Sequence, residues 1–345
     1  MQLHEKYMHR CLELAILGKG NVSPNPLVGS VIVYNDKIIG EGYHEKYGHS
    51  HAEVNAIKSV KNKKLLEKAT LYVNLEPCAH HGNTPPCCEL IAKHKIPNVV
   101  IGCRDSSKKV NGKGIEFLKE RNTKVAIGIL EKECQWLNRR FFTFQSKNRP
   151  YIILKWAQTK DGFIDKIRNK DESGINWITS SKMKLLVHQW RANEDAILVG
   201  RKTIENDNPK LTVREAEGEN PLRIVIDPEL KLNLENNVFK AKGNTLVINH
   251  LKNETFKNIE FVKTNPENIL KDTISHLAQK NITSIIIEGG AKTISHFIEK
   301  NIWDEARVLT GNVEFKKGLK APIISLEPNS SSSFGKDIVN TYYNA

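Results

Sequence analysis

His51-Ala52-Glu53, then Leu75-Glu76-Pro77-Cys78, then the eight residues AHHGNTPP and Cys87, form the stretch that decides how the N-terminal half of this chain is read. A catalytic zinc takes three protein ligands and keeps one position open for water. His51, Cys78 and Cys87 offer one imidazole and two thiolates, and Glu53 stands two residues past His51. A carboxyl so placed can reach a metal-held water without ligating, and can carry a proton to a leaving group. His-Ala-Glu alone is a common chance match, and two cysteines alone describe packed thiols equally well. Their order, with the histidine at a helix start and Cys78 after a strand, gives the set its weight. His-x-Glu…Pro-Cys…Cys is the order found in zinc deaminases. The competing reading is a structural zinc that takes its fourth ligand from His80 or His81. Cys88 adjoins Cys87 and is left out of the ligand set, because adjacent side chains rarely face one metal.

Outward from this stretch the first half alternates helix and strand. Met8, Cys11, Leu12, Ala15 and Ile16 have helical spacing. Residues 28–34 read as a strand, and residues 51–59 as a helix with Ala52, Asn55 and Ala56 on a small-residue face. Residues 69–75 form an apolar, β-rich run that Glu76-Pro77 stops; a helix restarts at Pro86, a residue suited to a first turn. Residues 98–102 and 124–127 read as short buried strands. This alternation implies an α/β layered domain. Cys11, Cys103 and Cys134 fit apolar patterns and belong to its core.

The polar segment 145–150, ending in Pro150, reads as a linker, so residues 1–146 and 150–345 form two domains. In the second, residues 151–157, 196–199, 222–226, 245–248 and 284–287 read as strands. Residues 180–191 and 265–280 read as helices, the latter with an Asn-Pro start. Residues 329–333 read as a polar loop. No GxGxxG follows the first strand, so a standard Rossmann site is not supported. Glu288-Gly289-Gly290 does sit between a strand and a helix beginning near Lys292, where backbone amides suit a phosphate. A plain tight turn is the bland alternative. Asp207 to Arg214 is dense in polar groups, and Trp177-Ile178-Thr179-Ser180 leads into a helix carrying His188 and Arg191.

With 345 residues and ordinary composition, each half can bury a core of its own. The longest apolar runs are strand-sized, too short to span a bilayer. The N-terminus reads as an amphipathic helix and not a signal peptide, so the cytoplasm is the expected compartment. A formal charge of +13 points to anionic partners, either nucleic acid or phosphorylated small molecules, or to a Lys-rich surface without a partner.

Several runs resemble the bifunctional riboflavin-biosynthesis family, in which a pyrimidine deaminase is joined to a pyrimidine reductase. In the first half they are Pro24-Asn25-Pro26-Leu27-Val28-Gly29, Gly40-Glu41-Gly42-Tyr43-His44, His51-Ala52-Glu53 and LEPCAHHGNTPPC from Leu75. The long spacer between the cysteines is that family's mark. In the second half they are Lys155-Trp156-Ala157, Asp161-Gly162, Trp177-Ile178-Thr179, Arg191-Ala192, Gly200…Thr203, Asp207-Asn208-Pro209…Leu211-Thr212…Arg214 and Glu288-Gly289-Gly290. The resemblance implies a cytidine-deaminase-like three-layer domain followed by a dihydrofolate-reductase-like domain. It implies one zinc per deaminase site and NADPH in the reductase.

By the same resemblance, Asn25, His44 and His80 contact the pyrimidine or ribose. Asp105 and the Asn111-Gly112-Lys113-Gly114 turn hold the ribose phosphate. Ala157, Trp177, Thr203, Asp207 and the turn of Gly290, Ala291, Lys292 and Thr293 contact NADPH. Arg191, Leu211, Arg214 and Glu288 contact the phosphorylated substrate, and Lys155 and Glu288 polarise or orient it. The implied reactions are hydrolytic deamination of 2,5-diamino-6-ribosylamino-4(3H)-pyrimidinone 5′-phosphate and NADPH reduction of the ribosyl chain, giving 5-amino-6-ribitylamino-uracil 5′-phosphate. Phosphorylated pyrimidines then account for the basic charge, with no nucleic acid or membrane partner, and a homo-oligomer is expected. The chain departs from the family's pattern at Asn83, at Asp105-Ser106-Ser107, at Thr159-Lys160, at Ile175 and at Pro228. An RNA- or nucleotide-modifying deaminase is disfavoured by the second-half motifs and the long spacer. A non-catalytic zinc module is disfavoured by the intact Glu53.

Overall fold

The computed structural model describes residues 2–79, 85–107, 110–169 and 172–344, and divides into two compact units, Met1–Asn148 and Arg149–Ala345. The first runs α1 (Gln2–Ile16), β1 (Gly29–Tyr34), β2 (Lys37–Tyr43), α2 (Ala52–Ser59), β3 (Thr70–Leu75), α3 (Cys87–Lys93), β4 (Asn98–Cys103), α4 (Lys113–Glu120), β5 (Lys124–Ile127), α5 (Glu131–Leu137) and α6 (Arg139–Lys147). Its sheet has the order β2-β1-β3-β4-β5, antiparallel through β2, β1 and β3 and parallel from β3 to β5.

Side chains alternate across a strand, and here each set meets its own helices. Ile32, Leu71, Val73, Val99 and Ile101 pack with Ala56 and Ile57 of α2, Cys88 and Ile91 of α3, and Ile115 and Leu118 of α4. Val31, Val33, Tyr72 and Val100 pack with Tyr7, Met8, Cys11 and Leu14 of α1, and with Cys134 and Phe141. The result is a three-layer α/β/α sandwich. Cys11, Cys103 and Cys134 are buried in it. The small face of α2 has a structural reason: a Cβ on Gly42 would stand 2.6 Å from both the Ala56 nitrogen and the Asn55 Cβ.

The second unit runs β6 (Tyr151–Thr159), β7 (Phe163–Asp165), α7 (Lys182–Ala192), β8 (Ala196–Gly200), α8 (Arg201–Asp207), β9 (Leu222–Ile226), α9 (Asn237–Lys240), β10 (Thr245–Asn249), β11 (Glu254–Phe256), β12 (Ile259–Lys263), α10 (Ile269–Gln279), β13 (Ser284–Gly289), α11 (Ala291–Glu299), β14 (Glu305–Gly311), β15 (Leu319–Lys320), β16 (Ser330–Phe334) and β17 (Asp337–Tyr343). Ten strands form one sheet, β11-β12-β10-β9-β8-β13-β6-β14-β17-β16. The pairs from β12 to β14 are parallel, while β11, β17 and β16 add antiparallel edges. α10 and α11 cover one face through Leu270, Leu277, Ile294 and Phe297. α8 and α9 cover the other through Ile204, Val238 and Phe239.

Four sequence expectations change. Gln145, Ser146 and Lys147 end helix α6, so the polar joint shrinks to Asn148, which closes the helix at φ 49, and the residues after it. Residues 124–127 form a strand, but as the sheet edge it is half exposed. Residues 265–280 split into a 3₁₀ turn, Pro266–Asn268, capped by the Asn265 side chain, and the helix Ile269–Gln279. The serines 330–333 are an edge strand and not a loop; every residue of it is exposed, so no apolar pattern marks it.

Candidate functional sites

α2 begins at the metal-binding stretch. His51 is its N-cap, with extended backbone, and Glu53 lies in the first turn, 3% exposed. Cys78 follows the end of β3, and Cys87 is the first residue of α3. His51 Nδ1 lies 3.5 Å from Cys78 Sγ and 3.3 Å from Cys87 Sγ, and the three donor atoms lie within 4.8 Å of one another. Zn–N of about 2.0–2.1 Å and Zn–S of about 2.3 Å in a tetrahedral site put N and S roughly 3.6 Å apart. One imidazole and two thiols at this spacing therefore fit zinc.

The local field favours thiolate at Cys78, whereas the hydrogen bond to Cys78 and burial push the Cys87 thiol up. The Cys87 thiol, hydrogen-bonded to Cys78, brings the Cys78 thiol down to about 4 against the opposing effect of burial. The backbone N–H of Cys87, at the start of α3, donates to Cys78 Sγ at 3.3 Å, as helix N-termini do for anions. Glu53 behaves in the opposite sense. Burial raises its carboxyl above the ordinary range, and it faces the Cys87 thiol. A carboxyl with a raised pKa holds a proton more readily than an ordinary carboxylate, which suits a group that takes one up and passes it on.

His44 and Asn25 flank this centre. The His44 ring lies edge-on to His51, with centroids 5.4 Å apart. Asn25 Nδ2 donates to His44 Nε2 at 3.0 Å, and His44 Nδ1 donates to the Ser50 carbonyl at 3.1 Å. Burial lowers the His44 pKa, so the ring is neutral. The loop carrying Asn25 is held by two buried amides that sequence reasoning missed. Asn74 accepts from the Gly29 N–H and donates to the Leu27 carbonyl; Asn138 accepts from the Leu27 N–H and donates to the same carbonyl. Asn74, fully buried inside the apolar strand TLYVNL, was the available signal.

Glu76 was also missed. Its buried carboxylate accepts from the backbone N–H groups of Asp105, Gly112, Gly114 and Ile115 at 3.1–3.3 Å. It ties the Asp105 loop to the start of α4. The amides of Gly112 and Gly114 are thus engaged inside the fold, and the exposed Asn111 and Lys113 side chains are what that turn offers a phosphate. Asp105 is 5% exposed and accepts from the Ser107 N–H at 2.7 Å. His80 and Asn83 lie outside the described residues.

In the second unit a cavity of about 740 Å³ opens beside β13 and α11. Thr203, Asp207, Gly290, Ala291, Lys292, Thr293 and Glu288 line it, as do Ile175 and Pro228. Gly289 has φ +139, a conformation that side chains rarely adopt, and a Cβ on Gly290 would sit 3.4 Å from Thr203 Oγ1. A Cβ on Gly200 would stand 2.7 Å from Thr293 Oγ1. This bare-backbone cradle at the N-terminus of α11 fits the phosphates of a nucleotide. Asp207 is paired with Arg168 at 2.9 Å, yet burial lifts its carboxyl to about 6. Ala157 and Trp177 are not among the lining residues. Trp177 is exposed, with the Lys184 ammonium over its ring.

Glu288 anchors a buried charge cluster. Arg191 holds it with two hydrogen bonds, 2.9 and 2.7 Å, and Lys155 Nζ lies 3.8 Å away. Burial lowers the pKa of Lys155, opposed by Glu288 and aided by Arg191. Arg191 is therefore occupied by a carboxylate, with one remaining hydrogen bond to the Thr212 carbonyl at 3.4 Å. Arg214 donates to Thr212 Oγ1 at 2.8 Å, which brings the two arginines to one loop. Leu211 has φ 53 and its side chain is buried in the core with Ile197, Val199 and Ile204, so only its backbone is available to a ligand.

These two sites coincide with two known sequence profiles. The cytidine and deoxycytidylate deaminase zinc-binding region matches residues 1–103, and the RibD C-terminal domain matches residues 150–315. The riboflavin biosynthesis protein RibD of Aquifex aeolicus is 38% identical over 325 residues, covering 92% of this chain and 89% of that one. The chain belongs to the RibD family. The RibD of Bacillus amyloliquefaciens is 37% identical, covering 88% of this chain and 83% of its own. The crystal structure of a diaminohydroxyphosphoribosylaminopyrimidine deaminase/5-amino-6-(5-phosphoribosylamino)uracil reductase from Thermotoga maritima superposes with a TM-score of 0.90 at 34% identity, covering 100% and 99% of the two chains. Acinetobacter baumannii RibD gives 0.89 at 30% identity, with the same coverage. The resemblance read from the long cysteine spacer thus holds across the whole chain, and both halves carry the domains expected of a RibD protein.

Proposed function

We propose that this chain performs two successive steps of riboflavin biosynthesis, hydrolytic deamination in the first unit and NADPH-dependent reduction in the second. The observation that carries the reading is the meeting of His51, Cys78 and Cys87 within 4.8 Å, with the buried Glu53 beside them, in a chain so similar to RibD proteins over its length. Zinc held by those three side chains supplies a Lewis acid that lowers the pKa of water to about 7. Glu53 takes up the proton of the attacking water and delivers it to the departing ammonia. Asn25 and the neutral His44 orient the pyrimidine edge, with Asn74 and Asn138 fixing the loop that bears Asn25. Asn111 and Lys113 face the ribose phosphate, and Asp105, buried and bonded to the Ser107 N–H, shapes the loop beside them. His80 completes this set by resemblance alone.

In the second unit the cavity beside β13 and α11 would hold NADPH, which would supply the hydride for C1′ of the opened ribosylamine. Thr203, Asp207 and the turn from Gly290 to Thr293 would hold the cofactor in the cavity they line; Ala157 and Trp177 belong to this set by resemblance alone. Lys155, buried with a lowered pKa, donates a proton as the ring opens, and Glu288 holds its ammonium and the Arg191 guanidinium in place. Arg191, Arg214 and the Leu211 backbone receive the phosphorylated sugar.

The described helices include none long and apolar enough to cross a membrane. The proposal places the protein in the cytoplasm as a homo-oligomer acting on small phosphorylated pyrimidines; sedimentation checks the assembly. Purified protein given the diaminopyrimidinone phosphate will release ammonia without NADPH, and will oxidise NADPH only on the deaminated product. Ammonia release that requires NADPH would overturn this order.

A further inference from the structure

His188 lies on α7 one turn before Arg191 and is 5% exposed. Its Nδ1 accepts the backbone N–H of Arg214 at 2.8 Å and lies 3.4 Å from the Glu215 nitrogen. Two backbone donors at one ring nitrogen require that nitrogen to be bare, so the imidazole is neutral with its proton on Nε2. The same loop is held at two other points. The Val213 N–H donates to Asn220 Oδ1 at 2.8 Å, and the Thr212 carbonyl accepts from Arg191. Arg214 then folds its guanidinium back onto Thr212 Oγ1. Among the described residues, the tether at the Arg214 backbone itself is His188.

We propose that His188 is a positioning residue of the reductase site, whose bare Nδ1 fixes the Arg214 backbone and so aims the Arg214 guanidinium at the phosphate of the substrate. This rests on the reading of Arg214 as a phosphate contact. The charged groups around the ring are Arg191 on its own helix, Arg214 and Glu215 on the loop, and Glu288 on β13. Together with burial, which is the leading cause, the two arginines hold the His188 pKa down to about 4. The acceptor is thus present throughout the neutral range. His188 touches neither the reacting carbon nor NADPH in this scheme, so it sets substrate affinity and leaves the chemical step alone.

The test uses the full chain with NADPH and the deaminated phosphorylated pyrimidine. His188→Phe fills the volume and offers no acceptor. It is expected to raise KM for the phosphorylated substrate by about tenfold, the size expected for one buried donor left unpaired, with kcat within about threefold. KM for NADPH stays unchanged. His188→Asn places Oδ1 where Nδ1 stood and is expected to restore KM to within about threefold. Arg214→Ala raises the same KM, and the Arg214→Ala/His188→Phe double variant is no worse than Arg214→Ala alone, because the two act through one contact. If Arg214→Ala leaves KM unchanged, the reading of Arg214 falls, and this inference with it. If Arg214→Ala raises KM but His188→Phe does not, or the two effects multiply, the positioning role alone is overturned. Equal losses in kcat and in KM for NADPH would make His188 merely structural and overturn it too.

Discussion

Replacing Glu288 by Gln removes the carboxylate shared by two buried cations, Arg191 and Lys155. Burial alone raises the Glu288 carboxyl, but the two cations outweigh it and bring the group from 4.5 to about 2. At about 1.36 kcal/mol per pH unit this corresponds to roughly 3 kcal/mol. The same size, about 3–5 kcal/mol, follows when one partner of a buried pair is removed. Because the folded value is depressed, the parent holds this stability above the ordinary carboxylate range and loses it as pH falls through about 2. For a domain of about 150–250 residues, a loss of roughly 3 kcal/mol lowers Tm by about 6–12 °C. The cation left behind gives a pH dependence of the same sign. Lys155 is already held below its ordinary value by burial, and without Glu288 it falls further. A folded state that disfavours the charged amine is destabilised as pH drops, so the deficit of Glu288→Gln will be larger near pH 6 than near pH 9. Differential scanning calorimetry of the full chain across that range checks both statements. A Tm change under about 2 °C at neutral pH, or a deficit that grows with pH, would refute the cluster's role.

Three further outcomes follow from the same geometry. Cys87→Ser will lower zinc content, measured by atomic emission after dialysis, and ammonia release with it, while NADPH oxidation on the deaminated substrate persists. Asn74→Ala strands the Gly29 N–H and removes one donor from the Leu27 carbonyl; it will cost about 2–4 kcal/mol in denaturant unfolding, with a raised deaminase KM from the loosened Asn25 loop. Gly200→Val places carbon against Thr293 Oγ1, where a Cβ already stands 2.7 Å away. It will weaken NADPH binding at least about tenfold by titration calorimetry, and ammonia release will be unaffected.

The metal set was legible because ligand chemistry tolerates few residue types, so His51, Cys78, Cys87 and Glu53 declared themselves by identity and order. The central strands were legible too, since Ile285 to Ile287 and Val99 to Ile101 are buried on both faces and read as unbroken apolar runs. The edges were not. Strand 330–334 is serine-rich and wholly exposed, so its partner β17, and no pattern of its own, makes it a strand. Glu76 stood in plain view within the LEPC run, yet nothing in one dimension shows that its carboxylate will cap four amides some thirty to forty residues later. Leu211 shows a different limit: its contact was implied by the resemblance, and nothing in one dimension shows that its backbone turns at φ 53 with the side chain in the core, which leaves the backbone as the part that can meet a ligand.

The most direct test of the account is the Glu53→Gln protein assayed on two substrates. With the diaminopyrimidinone phosphate, ammonia release is expected to fall by at least about 100-fold, the low end of what a positioned acid–base contributes. With the already deaminated substrate and NADPH, oxidation is expected to run at the parental rate, because Glu53 and the reductase cavity belong to separate units. Ammonia release at the parental rate by Glu53→Gln would contradict the account.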